Sequence, residues 1–381
     1  MASHLRIEKL VYGGDGLARL PPAPDGRRQA VFVPFTLPGE LVRVELLPPA
    51  RGRVAARLLD VLEPSPDRIA PGCEYFGRCG GCQWQHTTPE CQLALKREIL
   101  LETLQRTGGV AWPGAVALHH AEAWGYRNRI RLQAIPGVGI GYYQPQSRRM
   151  LPITHCPIAS PELNRGLAEL AAQPPLRREE IELAVDNADG GLTAEGPLEF
   201  AVAGYRYRVG PGSFFQVNRF LAEELVAAAL GEVAPGQASG HTALDLFSGV
   251  GLFALPLAAR FETVEAVESD PAAVADLRHN ARGARIRVAQ LHALDYLRGR
   301  EPGAVDLVVA DPPRAGLGAE LVGAIVDLAP LRLHLVSCDP ATLGRDLRPL
   351  LAAGYQIRAL HLFDLFPQTY HLETVVHLAR V

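Results

Sequence analysis

From Thr242 onward the chain alternates short apolar runs with helical patterns, and this alternation limits the fold more than any other feature. Thr242-Ala-Leu-Asp-Leu-Phe247 reads as a strand, Ser248-Gly-Val-Gly251 as its turn, and Leu252 to Arg260 as a helix. A second strand, Thr263 to Val267, ends at Glu268, and a helix follows from Pro271 to Arg282. Strands over 286–289 and 306–310 come next, the latter running into Asp311-Pro-Pro-Arg314. After a helix over 321–328, Leu333, Leu335 and Val336 mark a buried strand that Pro340 stops. Runs over 355–362 and 374–379 are expected to close the unit as an antiparallel pair. Such alternation predicts an α/β, doubly wound, mostly parallel sheet. Ligands bind such sheets at the carboxyl edge of the strands, where Ser248–Gly251, Glu268, Asp311 and Cys338 all fall.

The N-terminal part has a different texture. At 381 residues the chain is long enough for two or three domains. Up to about Leu62 it reads as short strands broken by turns at Tyr12-Gly-Gly-Asp-Gly16 and Pro21 to Gly26. That pattern suits a small β-barrel of the oligonucleotide-binding type. Net charge is only −3, but Arg and Lys exceed Asp and Glu by nine to six up to Val61. Lys9 and Lys96 are the only lysines, so the positive charge is nearly all guanidinium, which suits phosphate and base contacts. We divide the chain into 1–62, 63–204 and 205–381, with the helix over 89–106 a candidate to pack on the third unit. No apolar run approaches a membrane span and no signal segment is visible, so a cytoplasmic protein without a membrane partner is expected.

Six cysteines without an export signal argue against a disulfide scaffold. Cys73, Cys79 and Cys82 lie within ten residues, and two glycines separate Cys79 from Cys82. Close thiolates suit zinc or iron–sulfur chemistry. Cys91 and Cys156 are both candidates for a fourth ligand. Arg127, Arg129 and Arg131 alternate along one strand, so they share a face that could track phosphate. Phe214 and Phe215 are candidates for stacking on bases.

At the sheet edge, the Gly-x-Gly turn and an acid about 20 residues on fit a nucleoside whose ribose hydroxyls are bound by Glu268. No third glycine is placed for a pyrophosphate, which favours S-adenosyl-L-methionine (AdoMet) over a dinucleotide. Asp311-Pro-Pro resembles the loop of amino-methyltransferases, but Arg314 stands where an aromatic ring would stack. A different chemistry suits Cys338. Its thiolate can add to C6 of uracil and make C5 a nucleophile toward the methyl sulfonium. A base must then remove the C5 proton, and Glu373 and His371 are the candidates.

On these residues the chain resembles the RNA 5-methyluridine methyltransferase family, in the branch with an N-terminal TRAM domain and an iron–sulfur cluster. The resemblance spans essentially the whole length. It rests on Cys73/Cys79-Gly-Gly-Cys82, His-Cys156-Pro, Ser-Phe-Phe-Gln216-Val-Asn, Leu-Asp-Leu-Phe247-Ser-Gly-Val-Gly, Asp311-Pro-Pro-Arg, Ser-Cys338-Asp-Pro and His-Leu-Glu373-Thr. It implies Cys338 as nucleophile, Glu373 as base, and Gln216, Phe247, Glu268 and Asp311 as AdoMet contacts. It also implies a [4Fe-4S] cluster on Cys73, Cys79, Cys82 and Cys156, and a monomer acting on structured RNA, rRNA or tRNA. The family commonly has Tyr-Cys-Gly where this chain has Phe247-Ser-Gly249; the acid or amide it often carries after the third strand aligns with His292, with Asp295 three residues on, and the adenine contact there stays open. A base-amino methyltransferase and a catalytically silent RNA-binding or assembly factor are the competing expectations.

Overall fold

The computed structural model describes residues 2–381 apart from Asp25, Arg51, 187–191, 194–195 and 232–239. The first six strands are β1 (Ala2–Arg6), β2 (Lys9–Leu10), β3 (Gly16–Arg19), β4 (Ala30–Val33), β5 (Leu41–Leu46) and β6 (Val54–Glu63). They form one curled sheet in the order β1-β5-β6-β4-β3-β2. The period-2 pattern of β5 explains its orientation: Val42 and Val44 are buried beside Leu5, Ile7, Val31 and Val33, while Arg43 faces out.

Helix α1 (Pro89–Gly108) follows. Thr88 starts it by accepting the Cys91 N–H at 3.3 Å, and Gly109 stops it in the left-handed conformation at φ 66°. Then come β7 (Ala117–His119), β8 (Arg129–Ile135), β9 (Gly139–Tyr143), β10 (Met150–Pro152), α2 (Pro161–Ala171), β11 (Glu179–Val185) and β12 (Leu192–Thr193). Strands β8 to β12 without β7 make a five-stranded sheet, and β13 (Leu198–Val202) pairs with β14 (Tyr205–Val209) as a separate hairpin. The β8 ladder begins at Arg129, three residues later than the sequence suggests. Arg127 and Asn128 donate their N–H groups elsewhere, to Ile158 at 2.9 Å and Val217 at 3.0 Å.

The C-terminal elements are α3 (Ala222–Leu230), β15 (Gly240–Leu246), α4 (Ala254–Leu257), β16 (Phe261–Glu268), α5 (Pro271–Asn280), β17 (Ile286–Gln290), α6 (Ala293–Leu297), β18 (Leu307–Ala310), α7 (Ala319–Leu328), β19 (Arg332–Ser337), α8 (Pro340–Ala352), β20 (Tyr355–Phe363) and β21 (Glu373–Arg380). They build an eight-stranded sheet in the order β17-β16-β15-β18-β19-β21-β20-β7. Pairing is parallel from β17 to β19, and β21 lies antiparallel between β19 and β20. Helices α3, α4 and α5 cover one face, and α1, α6, α7 and α8 the other. Among the described residues no helix is long and apolar enough to cross a membrane.

Two elements from the 63–204 stretch belong physically to this sheet. β7 pairs in parallel with β20 at the sheet edge. Helix α1 lies on α8 so closely that a Cβ at Gly108 would stand 2.3 Å from the Gly344 carbonyl oxygen. The buried ammonium of Lys96 is 2.6 Å from the buried Asp364 carboxylate, tying α1 to the loop before β21.

Candidate active site and cysteine pocket

The antiparallel insertion of β21 creates the site. Its register pairs Ser337 with Thr374. One step further, where the ladder ends, Cys338 therefore stands opposite Glu373. Facing residues of an antiparallel pair have Cα atoms about 4.5–5.5 Å apart. β18 lies on the other side of β19, and its exit carries Asp311 to the same edge. Cys338 is partly buried and Glu373 is 6% exposed.

The charges at this edge act on one another. Burial, then Glu373 and Asp311, push the Cys338 thiol up to about 12, against the pull of Arg314. Burial raises Glu373 well above the ordinary carboxylate value, with Asp311 adding to the rise and Arg314 opposing it. Burial lifts Asp311 to about 7. Two neighbouring carboxyls in a poorly hydrated corner resist double ionisation, so Asp311 tends to keep its proton while the proton affinity of Glu373 is raised. His371, two residues before Glu373, goes the other way. Burial, Arg314, Lys96 and Arg127 lower it to about 4, so it is neutral at pH 7.

The neighbouring strand ends carry other edge residues. Glu268 ends β16 and accepts the Gly249 N–H at 3.0 Å, which fixes the carboxylate against the glycine turn. Its second oxygen accepts the N–H groups of Ser269 at 2.7 Å and Asp270 at 2.8 Å. A carboxylate has about four acceptor sites, so one is left for a ribose hydroxyl. Phe247 follows β15 with φ 62°, a conformation that non-glycine residues seldom adopt. Gln216 is buried in the segment whose Val217 carbonyl pairs with Asn128. Asp295 is spoken for by Arg298 at 3.0 Å, while His292 is exposed at the start of α6.

One residue escaped the sequence reading. Asp245, in the apolar run of β15, is fully buried, and neither side-chain oxygen has a hydrogen-bond partner among the described residues. A lone acid within an apolar strand was the available signal. Burial above all lifts it to about 8. This buried acid lies two residues before the Phe247–Gly251 turn and is a further candidate for the donor site. It also costs stability. Between the ordinary value of 3.8 and about 8, folded Asp245 keeps a proton that the unfolded chain has lost. Stability therefore falls as pH rises through that window, by up to about 1.4 kcal/mol per unit. Asp245→Asn is expected to melt higher than wild type at pH 8, with a smaller gap at pH 5.5, while binding AdoMet more weakly. Thermal denaturation at the two pH values checks the stability part.

Cys73, Cys79, Cys82 and Cys156 line one pocket with Tyr142, His155 and Arg127. Cys91 lies away from it, at the start of α1. Burial raises Cys79 to about 11 and Cys82 to about 12, and raises Cys156. Among the described residues, no three or more His, Cys, Asp or Glu side chains stand in an arrangement that would hold a metal ion as they are. The donor set fits a thiolate-bound group in identity and convergence. Loading it requires the thiols to lose their protons.

The expected arginine track is not there. Arg129 is buried, bonded to Glu182 at 2.7 Å and to the Ser213 carbonyl at 2.6 Å. Arg131 donates to Glu182 at 2.8 Å. Arg127 faces the cysteine pocket. The strand's charges are answered by β11, which pairs with it. The phenylalanine pair also divides. Phe214 is 66% exposed, but Phe215 is core and stacks on Phe200 at 4.7 Å.

A doubly wound sheet of this order with an acidic edge is that of a methyltransferase, and residues 219–334 match the family model described as "Methyltransferase small domain". Residues 301–381 match the model of tRNA (Uracil-5-)-methyltransferase. A 23S rRNA (uracil(1939)-C(5))-methyltransferase RlmD of Alkalilimnicola ehrlichii is 33% identical, over 99% of this chain and 96% of its own length. An uncharacterized RNA methyltransferase of Streptomyces avermitilis is 34% identical, over 98% and 97%. The structure of Pyrococcus abyssi tRNA (uracil-54, C5)-methyltransferase with S-adenosyl-L-homocysteine covers 100% of both chains, with a TM-score of 0.75 at 24% identity, and shares the fold. The chain belongs to the RNA uracil-C5 methyltransferase family.

Proposed function

We propose that this protein transfers the methyl group of AdoMet to C5 of a uridine in structured RNA, rRNA or tRNA, through a covalent adduct between Cys338 and C6. The observation that supports the reading is the β19–β21 register, which ends at Ser337 and Thr374 and so brings the next residues, Cys338 and Glu373, to one edge, where Glu373 acts electrostatically on the thiol. Cys338 loses its proton to solvent, and its thiolate bonds to C6 as the C5–C6 π electrons move toward C5 and O4. C5 then takes the methyl group, and S-adenosyl-L-homocysteine leaves. Glu373 accepts the C5 proton, the C6–S bond breaks, and the thiolate is restored. An elevated proton affinity makes Glu373 a stronger base than an exposed glutamate. Arg314 offers positive charge to the thiolate and to the developing oxyanion. Glu268, Asp311, Phe247 and Gln216 are assigned to AdoMet, with Asp245 as a further candidate. Nucleoside analysis of RNA methylated by the purified protein tests this. 5-Methyluridine supports the reading; a base methylated on an exocyclic nitrogen points to the Asp311-Pro-Pro loop acting as in amino-methyltransferases, and no product at all to a silent RNA-binding factor.

The curled sheet over residues 1–62 serves in this reading as a TRAM-type RNA-binding barrel, followed by a central unit over 63–204 and the methyltransferase unit over 205–381. The four converging cysteines are assigned to a [4Fe-4S] cluster. In support, four thiols of one pocket are served by Arg127, whose buried Nε has no partner among the described residues and can answer their negative charge. The cluster would organise the central unit; the methyl-transfer chemistry requires no electron. Anaerobically purified protein is expected to be brown, with absorbance near ~400 nm. Cys156→Ser should lose that colour and Cys91→Ser should keep it.

A further inference from the structure

We propose that Tyr12, supplied by the N-terminal sheet, is a positioning residue for the nucleophile. Its hydroxyl fixes the Cys338 peptide and so aims the sulfur at the pyrimidine. The inference rests on the covalent reading given above.

The half-buried Tyr12 hydroxyl donates to the Cys338 carbonyl at 2.9 Å, across 326 residues of sequence. Around Cys338, local contacts tie down both neighbours. Ser337 ends the β19 ladder, and its hydroxyl donates to the Asp339 carbonyl at 3.1 Å. The Asp339 carboxylate caps α8 by accepting from Ala341 and Thr342. The Cys338 carbonyl is instead held from another part of the molecule. That peptide adjoins the Cα from which the Cβ–Sγ bond projects, so a shift of the peptide carries the sulfur with it.

The Tyr12 ring is itself fixed. It meets Tyr370 edge-on, with centroids 5.8 Å apart. Gly14, two residues on, accepts the Trp84 indole N–H at 3.1 Å through its carbonyl. At φ +92°, Gly14 comes so close to Tyr370 that a Cβ would stand 3.2 Å from that side chain. Tyr370 lies three residues before Glu373. The 12–16 turn therefore touches the segment of the nucleophile and the segment of the base.

The hydroxyl is not needed to dock the sheet. Leu10, Leu37 and Trp84 already belong to the main hydrophobic core with α1 and β21, and Lys9 reaches Glu102 on α1. Removing one oxygen should leave that packing intact while freeing the Cys338 peptide. Displacing a reacting atom by about 1 Å can cost on the order of 100-fold in rate.

The experiment compares wild type and Tyr12→Phe on RNA whose target base is 5-fluorouracil. The fluorine cannot leave as a proton, so the methylated adduct persists on a denaturing gel. Wild type must form the adduct; if it does not, the covalent reading fails and takes this inference with it. Given a wild-type adduct, Tyr12→Phe should form it about 10–100-fold more slowly and lose kcat on ordinary RNA in proportion. RNA KM, AdoMet affinity and melting temperature should stay near wild type. A wild-type adduct rate in Tyr12→Phe overturns the proposal. So does an unchanged kcat with a raised RNA KM or a lower melting temperature, which is the signature of a docking contact alone.

Discussion

Cys338→Ala protein is expected to bind AdoMet as wild type does and to transfer no measurable methyl group to RNA. The substitution removes the only atom proposed to bond to the pyrimidine. Without that bond C5 lacks the electron density to take a methyl group, so the loss should reach at least about 10⁴-fold, the scale seen when a covalent nucleophile is deleted. The donor site should be spared. Glu268 is fixed by Gly249, Ser269 and Asp270, and none of these bonds involves the Cys338 segment. Equilibrium binding of AdoMet and single-turnover methylation check the two halves separately. Appreciable turnover in the alanine variant would remove Cys338 from the nucleophile's role.

Glu373→Gln separates the two halves of the reaction. Addition and methyl transfer precede the proton removal assigned to Glu373, so the variant should stall with RNA covalently attached. A protein band shifted by the mass of the RNA, resistant to denaturant, should accumulate as turnover falls about 10²–10⁴-fold, the usual contribution of a general base. The band should carry methyl label from AdoMet. The amide cannot ionise, so it also removes the cost of a buried carboxyl whose proton affinity burial raises, and the protein should not lose stability at neutral pH. Free, fully methylated RNA from this variant would move the base elsewhere, with neutral His371 the nearest alternative.

How far the sequence discloses such a site depends on the range of the forces involved. The alternation from Thr242 onward specifies strands and helices locally, and each glycine or proline marks where a strand must stop. Cys338, Asp311 and Glu268 could thus be placed at strand ends. The facing of Cys338 and Glu373 could not be read that way, because it follows from β21 slipping between β19 and β20. Long-range ion pairs were equally hidden. Arg129 and Arg131 look like a free track until β11 brings Glu182 alongside, 53 and 51 residues away. Phe214 and Phe215 differ by one position in an extended segment, which sends one side chain to solvent and the other into the core. The helix over 252–260 shrank to Ala254–Leu257, where Pro256 lacks the N–H that a longer helix would use. Tyr12 carried no signal at all, since its partner is a backbone carbonyl near the far end of the chain.

The parallel pairing of β7 with β20 bears on how this catalytic half could have been inherited or engineered. A fragment starting at residue 205 would leave the outer hydrogen-bonding groups of β20 bare along that rim, and would strip α8 of the helix lying on Gly344. Bare rims of this kind recruit stray strands from other molecules. The methyl-transfer half is therefore not a cassette that can be lifted out by cutting at one point. A workable minimal version must carry the 89–119 segment with it, which ties its evolutionary history to the region that holds the cysteines.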